Sequence, residues 1–208
     1  MTVIETEVKF FLADSDALER QLQTIGAGFR DAVNETNLRY ETGNHELLHN
    51  KSLLRLRRAG QQAILTFKSE APEPQNEYKT HREYEVSVDD FEMMQKILES
   101  LGYHQAQVYE KYRKTYQSGN ALLCLDTMPY GPFLEIEGPG REIRDLAEKL
   151  KLPWQNRILL NYLEMFERIK ADLGLPFTDV TFANFESVPL DPISGLIKDF
   201  TAGRQSST

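Results

Sequence analysis

Charged side chains fall at every second position in several short stretches of this chain, and their types suit two kinds of chemistry. Glu5-Thr6-Glu7-Val8-Lys9 sets two carboxylates and an ammonium on alternate residues. Arg55 and Arg57, Lys111 and Arg113, Glu83 and Glu85, and Glu135 and Glu137 repeat the spacing as like-charged pairs, and Thr66 and Lys68 share its parity. Paired carboxylates are hard oxygen donors for divalent cations. Paired Arg and Lys bind phosphate oxygens, Arg through its planar fork and Lys as a point charge. Six cations and six carboxylates in this pattern describe either the wetted face of a sheet or a chamber for a metal-bound polyphosphate.

A spacing of two calls for strands, whose side chains alternate between faces. The sequence predicts them over 3–10, 34–40, 52–58, 62–68, 81–88, 108–116, 121–126 and 133–137. Gly60 lies in a tight turn between the third and fourth of these strands. Helices are expected after the Asp14-Ser15-Asp16 cap, after Asp89-Asp90, over 141–150 and over 156–173, each with an apolar stripe. The segments 41–51 and 69–80 read as polar loops, the second exposed and mobile. The two halves of the chain echo each other, which suggests internal duplication.

Opposite the charged face, Ile4, Val8, Leu54, Leu56, Leu65, Phe67, Tyr84, Val86, Leu134 and Ile136 form an apolar face that needs cover. The helices are the only cover available. Two architectures satisfy this pattern: an open sheet with helices on one side, or a closed antiparallel barrel with a charged lumen and helices outside. Like charges on neighbouring same-face positions repel, and they persist more readily where something binds between them, which favours the barrel.

Length and composition set the outer bounds. The 208 residues, 40% hydrophobic and 27% charged, suit one globular domain of ordinary size with a tail. No apolar run reaches the roughly 18–20 residues of a membrane span. A net charge of −8 argues against a general nucleic-acid binder, although cations gathered in one internal site are invisible to that sum. Cys124, the single cysteine, has no partner for an internal disulfide, and no basic, apolar leader opens the chain, so a cytoplasmic setting is expected. Cys124 reads as a small strand residue, and His45, His49, His81 and His104 as surface loop residues without ligand spacing. Arg39, Arg58, Arg82 and Lys114 read as solvated or packing charges.

The ordered set of motifs is similar to a known family. Glu-x-Glu-x-Lys at 5–9, Leu-Arg-Leu-Arg at 54–57, Leu-Thr-Phe-Lys at 65–68 and Arg-Glu-Tyr-Glu-Val at 82–86 resemble the CYTH family, the triphosphate tunnel metalloenzymes. Glu-Lys-Tyr-Arg at 110–113, Leu125-Asp126 and Gly-Pro-Phe-Leu-Glu-Ile-Glu-Gly at 131–138 complete the resemblance in the same order. It implies an α+β fold: a closed eight-stranded antiparallel β-barrel, with helices packed outside, whose tunnel binds triphosphate. The tunnel domain would span 1–174. The remaining 175–208 would be an extension whose middle docks as irregular chain and whose end, from 202, is frayed.

The resemblance also implies roles. Glu5, Glu7, Glu135 and Glu137 match the principal ligands of Mg²⁺ or Mn²⁺, while Glu83, Glu85 and Asp126 match further tunnel acids, for a second metal or for positioning. Lys9, Arg55, Arg57, Lys68, Lys111 and Arg113 match the cations that bind triphosphate. Glu5, Glu7, Glu137 and Lys9 would be catalytic. The substrate would be a small triphosphate, namely tripolyphosphate, ATP or another organic triphosphate, with no nucleic acid or membrane partner; a homodimer is compatible. Hydrolysis leads, because it asks less of the protein than cyclisation of ATP to cyclic AMP and pyrophosphate, the class IV adenylate cyclase reaction. A non-catalytic polyphosphate or nucleotide sensor ranks last, because none of the metal carboxylates is eroded.

Overall fold

The structure, a computed structural model, describes residues 3–73 and 76–205. Pro74-Gln75, within the segment expected to be a mobile loop, and the last part of the expected frayed end lie outside the described residues. The strands are β1 (Val3–Phe11), β2 (Gly28–Glu41), β3 (Leu53–Ala59), β4 (Gln62–Glu70), β5 (Lys79–Val88), β6 (His104–Ser118), β7 (Ala121–Met128) and β8 (Gly131–Glu137). They close into an antiparallel barrel in the order β1-β5-β4-β3-β2-β6-β7-β8. β1 is the closing strand. It pairs Glu5 with His81 of β5 on one side, and Glu7 with Glu137 and Lys9 with Glu135 of β8 on the other. The expected closed barrel is therefore the architecture, and the first and last strands lie side by side.

The two halves share one plan. β1, α1 (Ser15–Thr24), β2, β3 and β4 are echoed by β5, α3 (Phe91–Ser100), β6, β7 and β8, with a short α2 (Glu46–His49) inserted in the first half. Exchanging the halves leaves the circular strand order unchanged. Both major helices begin where an aspartate accepts from a first-turn amide: Asp14 from Ala17 and Asp90 from Met93.

Outside the barrel, α1 and α4 (Gly140–Lys149) bury Leu18, Leu22, Ile143 and Leu146 against Val8, Phe10, Leu123, Leu134 and Ile136. α3 contributes Leu98, Phe91 and Met94 to a second cluster with Leu38, Tyr40, Leu54 and Leu56. The expectation that helices cover the whole apolar face needs correction. Ile4, Tyr84 and Val86 remain about half exposed, at 45%, 49% and 55%. The helices pack toward the β1-β7-β8 wall and the β2-β3-β6 wall, and the outer side of the β4-β5 hairpin falls between them.

Two element starts also differ by several residues from the sequence-based expectation. β2 starts at Gly28, not at Asn34, because its polar first half pairs with an equally extended β6, from Gly28 opposite Gln117 to Glu41 opposite His104. The helix expected over 156–173 begins only at Tyr162. A 3₁₀ turn at Trp154–Asn156 comes first, and then Ile158 exchanges two backbone hydrogen bonds with Lys9 (3.1 and 2.7 Å). β5 has stopped pairing with β1 after Glu7, so Ile158 takes up backbone that β5 leaves free. Asn161 then caps α5 (Tyr162–Leu173), and Glu164 reciprocates in a capping box.

Beyond 175 the chain is more regular than expected. It forms α6 (Phe182–Phe185), α7 (Leu190–Asp199) and α8 (Ala202–Gln205). Val180, Phe185, Ile193, Ile197 and Phe200 join α5 in one buried cluster with Tyr109, Met128, Tyr130 and Phe133 of the barrel. Among the described residues no helix is long and apolar enough to cross a membrane.

Candidate active site

Strand parity sends the charged set inward, and inside the barrel it forms a chain of ion pairs that runs round the lumen from Glu7 to Glu5, both on β1. Starting on β1, Lys9 pairs with Glu7 and with Glu135 of β8 (2.9 Å). Glu135 takes Arg113 of β6 (3.0 Å), which holds Asp126 of β7 (2.6 Å). Lys111 bridges Asp126 (3.1 Å) to Glu35 of β2 (3.5 Å), and Glu35 reaches Arg57 of β3 (3.5 Å). Arg57 and Arg55 share Glu85 of β5 (3.5 and 3.3 Å), and Arg55 approaches Glu83 (3.9 Å). Lys68 of β4 brings the chain back to β1, pairing with Glu83 (3.2 Å) and with Glu5. Signs alternate nearly throughout, and all eight strands contribute.

Every expected site residue except Glu137 is a member of this ring. Glu137 neighbours it on β8, in register with Glu7. Thr66 donates to Glu85 (2.7 Å) and accepts from Arg55 (3.2 Å).

The lumen has two unlike ends. Toward the end of β1 the inward positions pass from Glu5, Glu7 and Lys9 to Phe11; β8 begins with Phe133 before Glu135, and β7 passes from Asp126 to Met128. Phe133 meets Phe11, Tyr130 and Tyr162 edge-on at centroid distances of 5.4 to 5.7 Å. That end is stopped by the aromatic cluster that α5 and the residues after 175 complete. Exposure grades accordingly: the side chain of Asp126 is 0% exposed and that of Glu85 38%.

Charge crowding tunes the acids unequally. Burial opposes ionisation of Glu5, yet the adjacent Lys68 ammonium and a hydrogen bond shared with Glu83 bring it down to about 2. Its neighbour moves the other way: burial, Glu5 and Glu85 push Glu83 up to about 8 despite Lys68. Burial and the Glu5, Glu135 and Glu7 carboxylates push Glu137 up to about 7. Glu135, though buried, is held well below the usual carboxylate range by Lys9, Arg113 and Lys111.

Among the described residues no three His, Cys, Asp or Glu side chains form a ready metal cage. The acids around β1 are instead turned toward Lys9 and Lys68. Their chemistry nevertheless fits a hard divalent cation: oxygen donors, crowded enough that two of them hold protons near neutral pH.

Several lumen residues escaped the sequence reading. Glu35 is buried and links Lys111 to Arg57. Its strand mixes Glu35, Asn37 and Arg39 on the inward side, without the like-charged pairs that marked the others. His81 is not a surface loop residue. It stands on β5, opposite Glu5, and burial together with Lys79 and Lys68 lowers it to about 4. Lys79, two residues before it, pairs with Glu164 of α5 (2.8 Å). Both share the parity of Glu83 and Glu85, which was the signal available. Tyr162 comes from a helix, where strand parity gives no hint; its hydroxyl donates to Asp126 (2.8 Å).

The other assignments behave as expected. His45, His49 and His104 are exposed. Arg58 pairs with Glu92, and Lys114 with Glu19. Cys124 is buried with its thiol pushed up to about 12, chiefly by burial, so it is no nucleophile.

Residues 3–164 match the family profile described as the CYTH domain. A protein named "Putative adenylate cyclase" from Methanocaldococcus jannaschii is 26% identical over 151 residues, covering 72% of this chain and 83% of that protein. A solved structure from Vibrio parahaemolyticus, titled a "putative adenylate cyclase", superposes with a TM-score of 0.71 at 21% identity, covering 80% of this chain and 99% of that one. A Hippeastrum structure, whose title credits a putative adenylyl cyclase with a dominant triphosphatase activity, superposes at 0.56 with 16% identity, covering 74% and 89%. At these identities the two structures speak to the fold alone.

Proposed function

The chain belongs to the CYTH family, and from that premise and the charged lumen we propose that it hydrolyses a small triphosphate with the help of Mg²⁺ or Mn²⁺. The observation that carries this reading is the run of ion pairs that encircles the lumen and draws on all eight strands. Removing one partner of a buried ion pair is costly, but the pair as a whole adds little over well-packed apolar side chains, because desolvation offsets its attraction. Twelve pairings gathered in one lumen are poorly explained as a stabilising device. They make sense as partners waiting to be exchanged.

A triphosphate entering from the wet end would take Arg55, Arg57, Lys68, Lys111, Arg113 and Lys9 from their carboxylates. Each cation then trades one anionic partner for another inside a dry site, so its charge stays compensated. Glu5, Glu7, Glu135 and Glu137 would hold the divalent ion, which would supply Lewis-acid polarisation of the phosphate and activation of the attacking water. Until then Lys9 lies between Glu7 and Glu135 and offsets their mutual repulsion. Glu83 and Glu85 hold Arg55, Arg57 and Lys68 until substrate arrives. Cations that remain on the departing phosphate stabilise the charge it develops.

A second reading, cyclisation of ATP, is favoured by the names that relatives carry. The same lumen would serve it if its cations engaged the α-phosphate in place of the terminal one. One incubation separates the two: purified protein with Mg²⁺ or Mn²⁺ and either tripolyphosphate or ATP, scored for phosphate and cyclic AMP. Phosphate release is expected. Cyclic AMP as the main product of ATP, with tripolyphosphate untouched, would reverse the order.

A further inference from the structure

Asp126 is the most heavily engaged acid in the lumen. Arg113 donates to it twice (2.6 Å each), Lys111 once (3.1 Å) and Tyr162 once (2.8 Å). Three of the four donors converge on Oδ2 and one on Oδ1, so Oδ2 is fully engaged while Oδ1 keeps a lone pair. The resemblance left open whether this acid binds metal or positions other groups, and the three donors crowded on Oδ2 argue for the second. Among the four contacts, only that from Tyr162 comes from outside the barrel strands, and only that one is uncharged.

The difference matters once a phosphate arrives. Lys111 and Arg113 must then turn part of their hydrogen-bonding capacity from Asp126 to the ligand. A fully buried carboxylate that loses donors without replacement carries a large desolvation cost. The Tyr162 hydroxyl has no reason to leave. Its ring is also fixed: it packs edge-on to Phe133 at the blind end and lies near both lysines, with Lys9 Nζ 5.2 Å and Lys111 Nζ 5.4 Å from its centroid.

We propose that Tyr162 is a positioning residue, whose hydroxyl anchors Asp126 while Lys111 and Arg113 are transferred to the terminal phosphate of the substrate. The inference rests on the tunnel reading above and adds a residue from α5 to it. α5 thus does more than close the barrel: its first turn sets where the phosphate chain stops, and the residues after 175 hold that turn in place.

Calorimetric titration of tripolyphosphate into the full chain, in EDTA and low salt, tests this without relying on turnover. Tyr162→Phe keeps the ring and removes only the donor; it is expected to weaken binding about tenfold, the usual scale for a hydrogen bond to a charged group. Tyr130→Phe is the control, because it deletes another buried hydroxyl of the same cluster, one that donates to the Tyr162 carbonyl (2.9 Å) and not to Asp126. It should bind as the wild type does, whatever its melting temperature. Equal losses in both variants, or an unchanged affinity in Tyr162→Phe, would overturn the positioning role. Failure of the wild type itself to bind tripolyphosphate, both in EDTA and with Mg²⁺ added, would refute the tunnel reading and this inference with it.

Discussion

Replacing Glu35 by Gln separates what the ring does for stability from what it does for binding. Glu35 is buried at 3% exposure between Lys111 and Arg57, each 3.5 Å away. Burial works against its charge, yet Lys111, Arg113, Arg57 and Arg55 hold it at about 2, where an unburied glutamate has 4.5. At roughly 1.4 kcal/mol per pKa unit, that displacement is worth about 3 kcal/mol of folding free energy. Because the folded-state value is the lower one, the contribution is complete above about pH 4.5 and is lost as pH falls toward about 2. Glu35→Gln should therefore be about 3 kcal/mol less stable than the wild type at neutral pH, and the gap should close on acidification. Urea titrations followed by circular dichroism, from about pH 7 down to pH 3, measure both. Tripolyphosphate affinity should not fall, since the substitution removes a carboxylate that competes for Lys111 and Arg57. A variant within about 0.5 kcal/mol of the wild type at pH 7, or a gap that does not shrink with acid, would refute the assigned electrostatics.

Two further substitutions probe other parts of the account. Glu7→Gln should cost more than about a hundredfold in turnover of tripolyphosphate with Mg²⁺, while the circular dichroism spectrum stays that of the wild type; near-normal turnover would show that the Glu7 carboxylate is dispensable for the metal-dependent step. Asn161→Ala removes the cap of α5, and a loss of about 1 kcal/mol in urea unfolding is expected. No loss would contradict a helix that starts at Tyr162.

Much of the site was legible because strand parity needs only the sequence. Glu5, Arg55, Glu83, Lys111 and Glu135 were placed on one face by counting in twos, and the barrel brings them into one ring. The same rule placed His81 inside the expected strand 81–88, against its reading as a surface residue, and would have reached Lys79 had β5 been started two residues earlier. What parity could not supply was the contribution of elements with another period. Tyr162 and Glu164 reach the lumen wall from the first turn of α5, and the start of that turn was hidden because Ile158 and Leu159 also fit helical spacing. The Asn161-x-x-Glu164 cap was the overlooked sign. Nor does an apolar strand face report which part of it a helix will cover, which is why Tyr84 and Val86 stand exposed while Leu134 and Ile136 are buried.

A crystal structure of the protein with tripolyphosphate and Mn²⁺ tests the central claim most directly. The account predicts phosphate oxygens on Arg55, Arg57, Lys111 and Arg113, and anomalous manganese signal among Glu5, Glu7, Glu135 and Glu137. Density for the ligand outside the barrel, with the ring of ion pairs unbroken inside it, would contradict the account.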